Sequence, residues 1–333
     1  MPTRVRVMDY TRAVLVAHGD LDGLASAAII IAALRRMKGL RIELLIAQPY
    51  NLYIKLAELA AMPPNLLLIT DLGIDEATWS STINATTKLI SEGCRILWID
   101  HHVSTSRLAL ELLMRGVSIL YTSNGSTSTL TREVFVPLTE NPEFFAKLAK
   151  IGEIADGVIA DDELTVVADR VAAALSAPSA KEQFKRKLVK MWVDEQKLID
   201  DEVAIKAEEF EKLLAHKMAH VKEKIVVDLE KGLIIDAREI KLGGLAGHIA
   251  SRIAREKKKV TVVIFSPNNR ETVATCRVPH MIEFNALQEL SSVVSKLGGG
   301  GGGLSKAAAV RVPREMGDLL LHSIYELFRT KLN

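Results

Sequence analysis

The stretch Arg95-Ile96-Leu97-Trp98-Ile99-Asp100-His101-His102 decides how this chain is read. Its apolar part is short and β-branched at Ile96 and Ile99, the pattern of a buried strand rather than of a helix, which needs about ten residues or more. The run then breaks off in one acid and two imidazoles. Open α/β sheets bind ligands outside the carboxyl ends of their strands, so metal-capable side chains at this point predict a site.

Outward from it, the same grammar repeats. Residues 13–17 read as a buried strand, followed by the loop His18-Gly19-Asp20-Leu21-Asp22-Gly23 and by a helix over 24–37, with Gly39 as its stop. A strand at 41–47, a short helix at 53–62 and a strand at 66–70 ending on Asp71 come next. A helix over 76–92 leads back into the opening stretch, and 117–121 reads as a fifth strand. The polar turn Ser123-Asn124-Gly125-Ser126-Thr127-Ser128-Thr129 feeds a helix, and a further helix over 144–160 carries Asp156. Strand alternating with helix predicts an α/β fold with a doubly wound, mainly parallel sheet. Short polar and helical pieces run on to Pro178.

Residues 179–231 contain neither proline nor glycine, and apolar positions recur among dense charges at helical spacing. Residues 179–223 are therefore expected to form a helical connector of one long or two consecutive helices, with the charges as a solvated face. The remainder changes style. Strands at 224–229, 233–237, 260–265, 272–277 and 307–312 mix with helices at 245–255, 285–296 and 318–332, around the glycine run 298–303. The expected organisation is a catalytic domain over 1–178, the connector over 179–223, and a smaller mixed α/β C-terminal domain over 224–333.

Composition bounds the chemistry. Of 333 residues, 48% are hydrophobic and 25% charged, which is the profile of a globular chain and not of a disordered one. A net charge of +2 supplies no bulk field, so nucleic acid would have to be bound by a local patch. Two cysteines, Cys94 and Cys276, argue against a disulfide framework, and 5% aromatic residues argue against an extended base-stacking platform. The first apolar run is broken by His18 and Asp20, and the apolar stretch 24–34 is too short to span a bilayer. The expectation is a cytoplasmic protein with no membrane partner.

Four groups then need an account: His18/Asp20/Asp22, Asp71, Asp100/His101/His102 and Asp156. In a doubly wound sheet the first three converge on one edge. Asp20 and Asp22 are two apart, so in extended backbone both leave on one face. Carboxylates brought together raise one another's pKa, a conflict that divalent cations resolve. Oxygen ligands alone would suit Mg²⁺ or Ca²⁺; imidazoles tilt the set toward Mn²⁺, with Zn²⁺ and Fe²⁺ open. Singly, each acid has an ordinary explanation, Asp71 as a helix N-cap and Asp20 or Asp22 as turn formers before Gly23. Acids at three strand ends together point to a site.

These residues resemble the DHH phosphoesterase superfamily, which includes RecJ-type nucleases, nanoRNases, cyclic-dinucleotide phosphodiesterases and family II pyrophosphatases. The loop from His18 to Gly23 is similar to its first motif, Asp71 to its second, Asp100-His101-His102 to its third, and Ile154-Ala155-Asp156 to the RecJ-like form of its fourth. The C-terminal part, with Arg277 and Gly301-Gly302-Gly303-Leu304-Ser305-Lys306, resembles the DHH-associated substrate-binding domain, except that Leu304 stands where the family has a histidine.

The resemblance implies two divalent cations, Mn²⁺ first and Mg²⁺ as the alternative. Asp20 would bind one and Asp22 the other, with Asp71 bridging. His101 and Asp156 would complete the second site, and His18 would ligate the first or support a ligand of it. Asp100 would orient His101, and His102 would face the scissile phosphate. Ser126, Thr127, Arg277, Gly301, Gly302, Gly303 and Lys306 would contact substrate, the glycines as a mobile loop whose bare backbone approaches an anion.

The implied activity is a metal-dependent phosphodiesterase: a single-strand exonuclease on DNA, RNA or short oligonucleotides that releases mononucleotides. The implied partners are single-stranded nucleic acid or oligonucleotide. Rival readings are a nanoRNase or dinucleotide phosphodiesterase, a phosphoadenosine-phosphate phosphatase, and a non-catalytic partner of replication or repair proteins.

Overall fold

The computed structural model describes residues 10–159 and 161–332. The chain forms two compact units that divide in sequence between Phe210 and Glu211.

The first unit is the doubly wound sheet that the sequence predicts. Strands β1 (Arg12–His18), β2 (Arg41–Ala47), β3 (Leu66–Thr70), β4 (Arg95–Asp100) and β5 (Ser118–Tyr121) lie in the order β2-β1-β3-β4-β5, and every pairing is parallel. In-register partners such as Thr70 with Ile99 and Ala17 with Thr70 bring the carboxyl ends of β1, β3 and β4 level. The direction of winding reverses between β1 and β3, and that reversal opens the crevice in which such sheets hold ligands.

Helices α2 (Leu52–Leu59), α3 (Trp79–Ser91) and α4 (Val103–Met114) cover one face. Leu52, Leu56, Ile83, Leu89 and Leu112 share that core with Val14, Leu67, Ile96 and Trp98. Helix α1 (Leu21–Leu34) is buried from Leu21 to Ala33, as a helix apolar all round must be. It packs against α5 (Thr127–Val134), α6 (Pro142–Ala155), α7 (Asp162–Ser176) and α8 (Glu182–Asp194). Helix α4 lies outside the sequence expectation, and α7 is one continuous helix where only short polar and helical pieces are expected. The buried stripe of α7 is made largely of Ala168, Ala173 and Ala174, too small to give a strong apolar signal. The region expected as a connector forms α8 and α9 (Asp201–Lys222), and the division between units falls inside α9.

The second unit carries a mixed sheet. Strands β6 (Ile225–Asp228), β7 (Gly232–Asp236), β8 (Val260–Phe265), β9 (Glu271–Arg277), β10 (Gly300–Gly303) and β11 (Ala307–Pro313) run in the order β10-β11-β9-β8-β7-β6. Helix α10 (Ala246–Lys257) packs on β8 and β9. Helices α11 (Ala286–Val294) and α12 (Gly317–Lys331) share a core with Val262, Ala274, Cys276 and Val310. The glycine run was expected as a mobile loop; Gly300–Gly303 instead pairs with Arg311 to Ala308 as an edge strand. A Cβ on Gly301 would fall 2.5 Å from the Ala309 carbonyl oxygen, so bare backbone is what lets this strand lie so close to β11. Leu304 and Ala307 close the hairpin by mutual backbone hydrogen bonds. Among the described residues, no helix is long and apolar enough to cross a membrane.

Candidate metal centre

Each acid is delivered by a different local device. Asp20 is the N-cap of α1, its carboxylate accepting from Gly23 N–H at 3.0 Å. Asp22 lies in the first turn of that helix. The helix starts at Leu21, so the extended-backbone argument that put Asp20 and Asp22 on one face does not hold, and the two acids serve different clusters. Asp71 follows β3 with φ +59°, a left-handed conformation that Asp adopts more readily than most side chains. It is not an N-cap; Asp75 caps the next turn. Its N–H donates to Ile99 O at 3.0 Å, and the Trp98 indole donates to Leu72 O at 3.0 Å, so β4 grips the backbone on both sides of it. Asp156 is the C-cap of α6. Gly157 (φ +74°) ends that helix, with Gly157 N–H donating to Ile154 O and Val158 N–H to Glu153 O, the paired bonds of a glycine-terminated helix.

The four sequence groups meet. Ligand-capable atoms lie within 4.8 Å of one another in three overlapping sets: His18, Asp20 and Asp71; Asp71, Asp100, His101 and His102; and Asp22, His101 and Asp156. His18 Nδ1 is 2.8 Å from Asp20 Oδ2 and 3.6 Å from Asp71 Oδ2. His101 Nε2 is 3.4 Å from Asp71 Oδ1 and 3.3 Å from Asp156 Oδ2. The two oxygens of Asp71 thus face different sets. His18 Nε2 lies 3.0 Å from Gln48 Oε1; an amide oxygen only accepts, which places one proton on Nε2 and turns Nδ1 toward Asp20 and Asp71, where it carries a second proton as long as no cation displaces it.

Asp100 departs from expectation. It was read as orienting His101, but its Oδ1 sits 2.7 Å from His102 Nδ1 and its Oδ2 accepts from the Thr105 hydroxyl. Ser126 and Thr127 depart as well. Both are wholly buried, with the Ser126 hydroxyl donating to Asp22 and the Thr127 hydroxyl to Asp71 at 3.1 Å. They hold acids of the cluster, and their hydroxyls are not open to a substrate.

The charges are frustrated as they stand. Burial first, then the Asp20 and Asp22 charges, push Asp71 up to about 8. Burial likewise raises Asp22, and burial with the Asp22 charge lifts Asp156 to about 6. Burial works against the His18 imidazolium, but hydrogen bonds to Asp20 and Asp71 win and raise it to about 11. The same contest raises His101 to about 9, through Asp71 and Asp156. Asp156 also stands at the negative end of a helix dipole, an unfavourable place for an acid without a counter-charge. A set of oxygen and imidazole donors that must share protons to coexist is suited to a divalent cation, so the cluster is able to hold metal.

Several supporting residues carried no sequence signal. A Cβ on Gly152 would fall 2.1 Å from Ser128 Oγ and 3.0 Å from Asp22 Oδ1; a Cβ on Gly73 would fall 2.8 Å from His102 Cγ. Gly152→Ala is therefore expected to displace Ser128 and Asp22 together and to weaken Mn²⁺ uptake at least about tenfold, judged from second-sphere losses elsewhere; equilibrium dialysis checks this. Lys185, among the charges read as a solvated face, donates to Gly19 O at 2.6 Å.

In the second unit, Arg277 donates to Ser251 Oγ at 3.0 Å and to Cys276 O at 2.9 Å, and Lys306 donates to Ile282 O. Gly301, Gly302 and Gly303 are exposed on the edge strand.

The N-terminal domain of the DHH family matches residues 12–160. Residues 12–160 are a DHH-family domain. Solved structures agree with the fold. RecJ of Thermus thermophilus, in complex with Mn²⁺, shares 16% identity over 96% of this chain and 52% of its own, with a TM-score of 0.61. The DHH domain of a member of a ribosomal-protein family shares 16% identity over 95% of this chain and 86% of its own, with a TM-score of 0.69. The pGpG-specific phosphodiesterase PggH of Vibrio cholerae shares 13% identity over 96% of this chain and 99% of its own, with a TM-score of 0.58. At these identities the likeness is one of fold. The chain spans about half the length of the Thermus RecJ. No curated protein matches this chain by sequence.

Proposed function

We propose that this protein is a metal-dependent phosphodiesterase that acts on single-stranded nucleic acid or short oligonucleotides and releases mononucleotides. The observation that carries the reading is Asp71: a buried acid in strained backbone whose two oxygens face two different sets of potential ligands. In this reading His18, Asp20 and Asp71 would hold one divalent cation, Mn²⁺ or Mg²⁺, and Asp22, His101 and Asp156 would hold a second, with Asp71 able to serve both sets. Bound cations would supply the charge that activates water and neutralises phosphoryl oxygens.

The chain's own groups do the rest. Burial opposes ionisation of Asp100, yet the His102 and Thr105 hydrogen bonds keep it below the usual carboxylate range. An ionised carboxylate only accepts, so His102 Nδ1–H donates to it and Nε2 is turned away. The His102 side chain keeps 42% of its surface open, and Asp100 raises its pKa against the effect of burial. His102 is thereby placed to give a proton from Nε2 to the departing oxygen. Within the second unit, Arg277, Lys306 and Gly301–Gly303 would contact phosphate.

Two observations favour short substrates: the net charge of only +2, and the likeness to a dinucleotide phosphodiesterase along nearly the full length of both chains. Digestion of end-labelled DNA and RNA, from dinucleotides to long oligomers, tests the proposal in Mn²⁺. The expected result is stepwise release of mononucleotides from one end, fastest on short RNA or DNA. Internal cuts alone, or intact substrate at every length, would overturn it.

A further inference from the structure

We infer that the N-terminus of α5 fixes Asp22 as a one-point ligand, with Ser126 as its positioning residue. This rests on the metal reading above. Asp22 Oδ1 accepts from Ser126 Oγ at 2.9 Å and from Ser128 N–H at 2.8 Å, while Oδ2 accepts from Thr127 N–H at 2.9 Å. A carboxylate offers about four acceptor lobes. Both lobes of Oδ1 are taken and one of Oδ2, so a single lobe, on Oδ2, is left for a cation. Asp22 can then neither chelate one ion through both oxygens nor bridge two, in contrast to Asp71, whose oxygens face separate sets.

The bracket is anchored independently of Asp22. Ser128 and Thr131 of α5 reach Ser26 of α1 through buried hydroxyls. Arg132 of α5 pairs at 2.8 Å with Glu153 of α6, whose side chain is 1% exposed. Gly152, one residue earlier on α6, admits Ser128 to the same place. The donors that aim Asp22 are thus held from two helices. Groups that orient a ligand in this way typically govern metal affinity by tenfold to a hundredfold.

Calorimetric titration of the metal-free, full-length protein with Mn²⁺ tests the inference, with melting curves to verify folding. Asp22→Asn defines which of the two binding equilibria belongs to Asp22. Ser126→Ala is expected to weaken that same equilibrium at least about tenfold and to leave the other within about twofold. Arg132→Gln, which loosens α5 without touching Asp22, is expected to weaken the same equilibrium by a smaller factor. Unchanged equilibria in Ser126→Ala, or parallel weakening of both in either variant, would overturn the assignment of Ser126 alone. A wild-type protein that takes up no Mn²⁺ would overturn the metal reading itself.

Discussion

Asp71→Asn is expected to lower Mn²⁺-dependent turnover by at least roughly 10³-fold while making the metal-free protein more stable. The first half follows from geometry. Oδ1 of Asp71 lies 3.4 Å from His101 Nε2 and Oδ2 lies 3.6 Å from His18 Nδ1, so removing its charge weakens both proposed sites together. Charge stabilisation by metal is worth several kcal/mol, and each 1.36 kcal/mol is about a factor of ten in rate. The second half follows from electrostatics. Asp71 is 2% exposed and sits beside Asp20 and Asp22, with its pKa driven to about 8; a neutral amide removes that repulsion. Asparagine is the right probe because, like aspartate, it tolerates the left-handed backbone found here at φ +59°, whereas alanine would add strain. Opposite movements of activity and stability are the mark of a functional site held at the expense of the fold. Steady-state rates and melting curves of the metal-free proteins measure the two halves. Near-normal turnover would remove Asp71 from the site.

Much of this was legible because strand ends are punctuated. The apolar runs that stop at His18, Asp71 and Asp100 announce both the sheet and its ligand edge, and parallel register then brings those ends level. What the sequence hid depends on where helices begin and how closely they approach. The start of α1 at Leu21 rotates Asp22 away from Asp20, and residue spacing alone assumed extended backbone there. The choice of His102 over His101 as the partner of Asp100 is a matter of side-chain direction past the strand end. Gly152 and Gly73 matter through neighbours distant in sequence, Ser128 and His102, which no local pattern encodes. The glycine run misled for a related reason: glycine normally weakens a strand, and only the presence of β11 alongside gives Gly300–Gly303 its pairing.

Raising the pH from 6 to 9 is expected to destabilise the metal-free protein, and saturating Mn²⁺ is expected to cancel most of the loss. Folding raises Asp71 from 3.8 to about 8 and His101 from 6.5 to about 9. In both cases the folded state binds the proton more tightly than the unfolded chain, so stability falls as pH rises between the two values. For Asp71 that window runs from 3.8 to about 8, and for His101 from 6.5 to about 9. Asp20 has the opposite sign, its pKa lowered by His18 against the effect of burial, but its contribution is lost only in acid, outside this range. A tenfold difference in proton affinity between the folded and unfolded states is worth about 1.36 kcal/mol. Because the groups interact, the loss between pH 6 and 9 should be on the order of a few kcal/mol, or roughly 5–10 °C in melting temperature for a domain of this size. A divalent cation binds the deprotonated ligands and displaces these protons, so affinity for Mn²⁺ should rise over the same interval and binding should release protons. Melting curves across pH with and without Mn²⁺, together with titrations in buffers of different ionisation enthalpy, measure both effects. A metal-free protein whose melting temperature stays level or climbs toward pH 9 would mean that the buried acids and imidazoles do not share protons as their geometry requires.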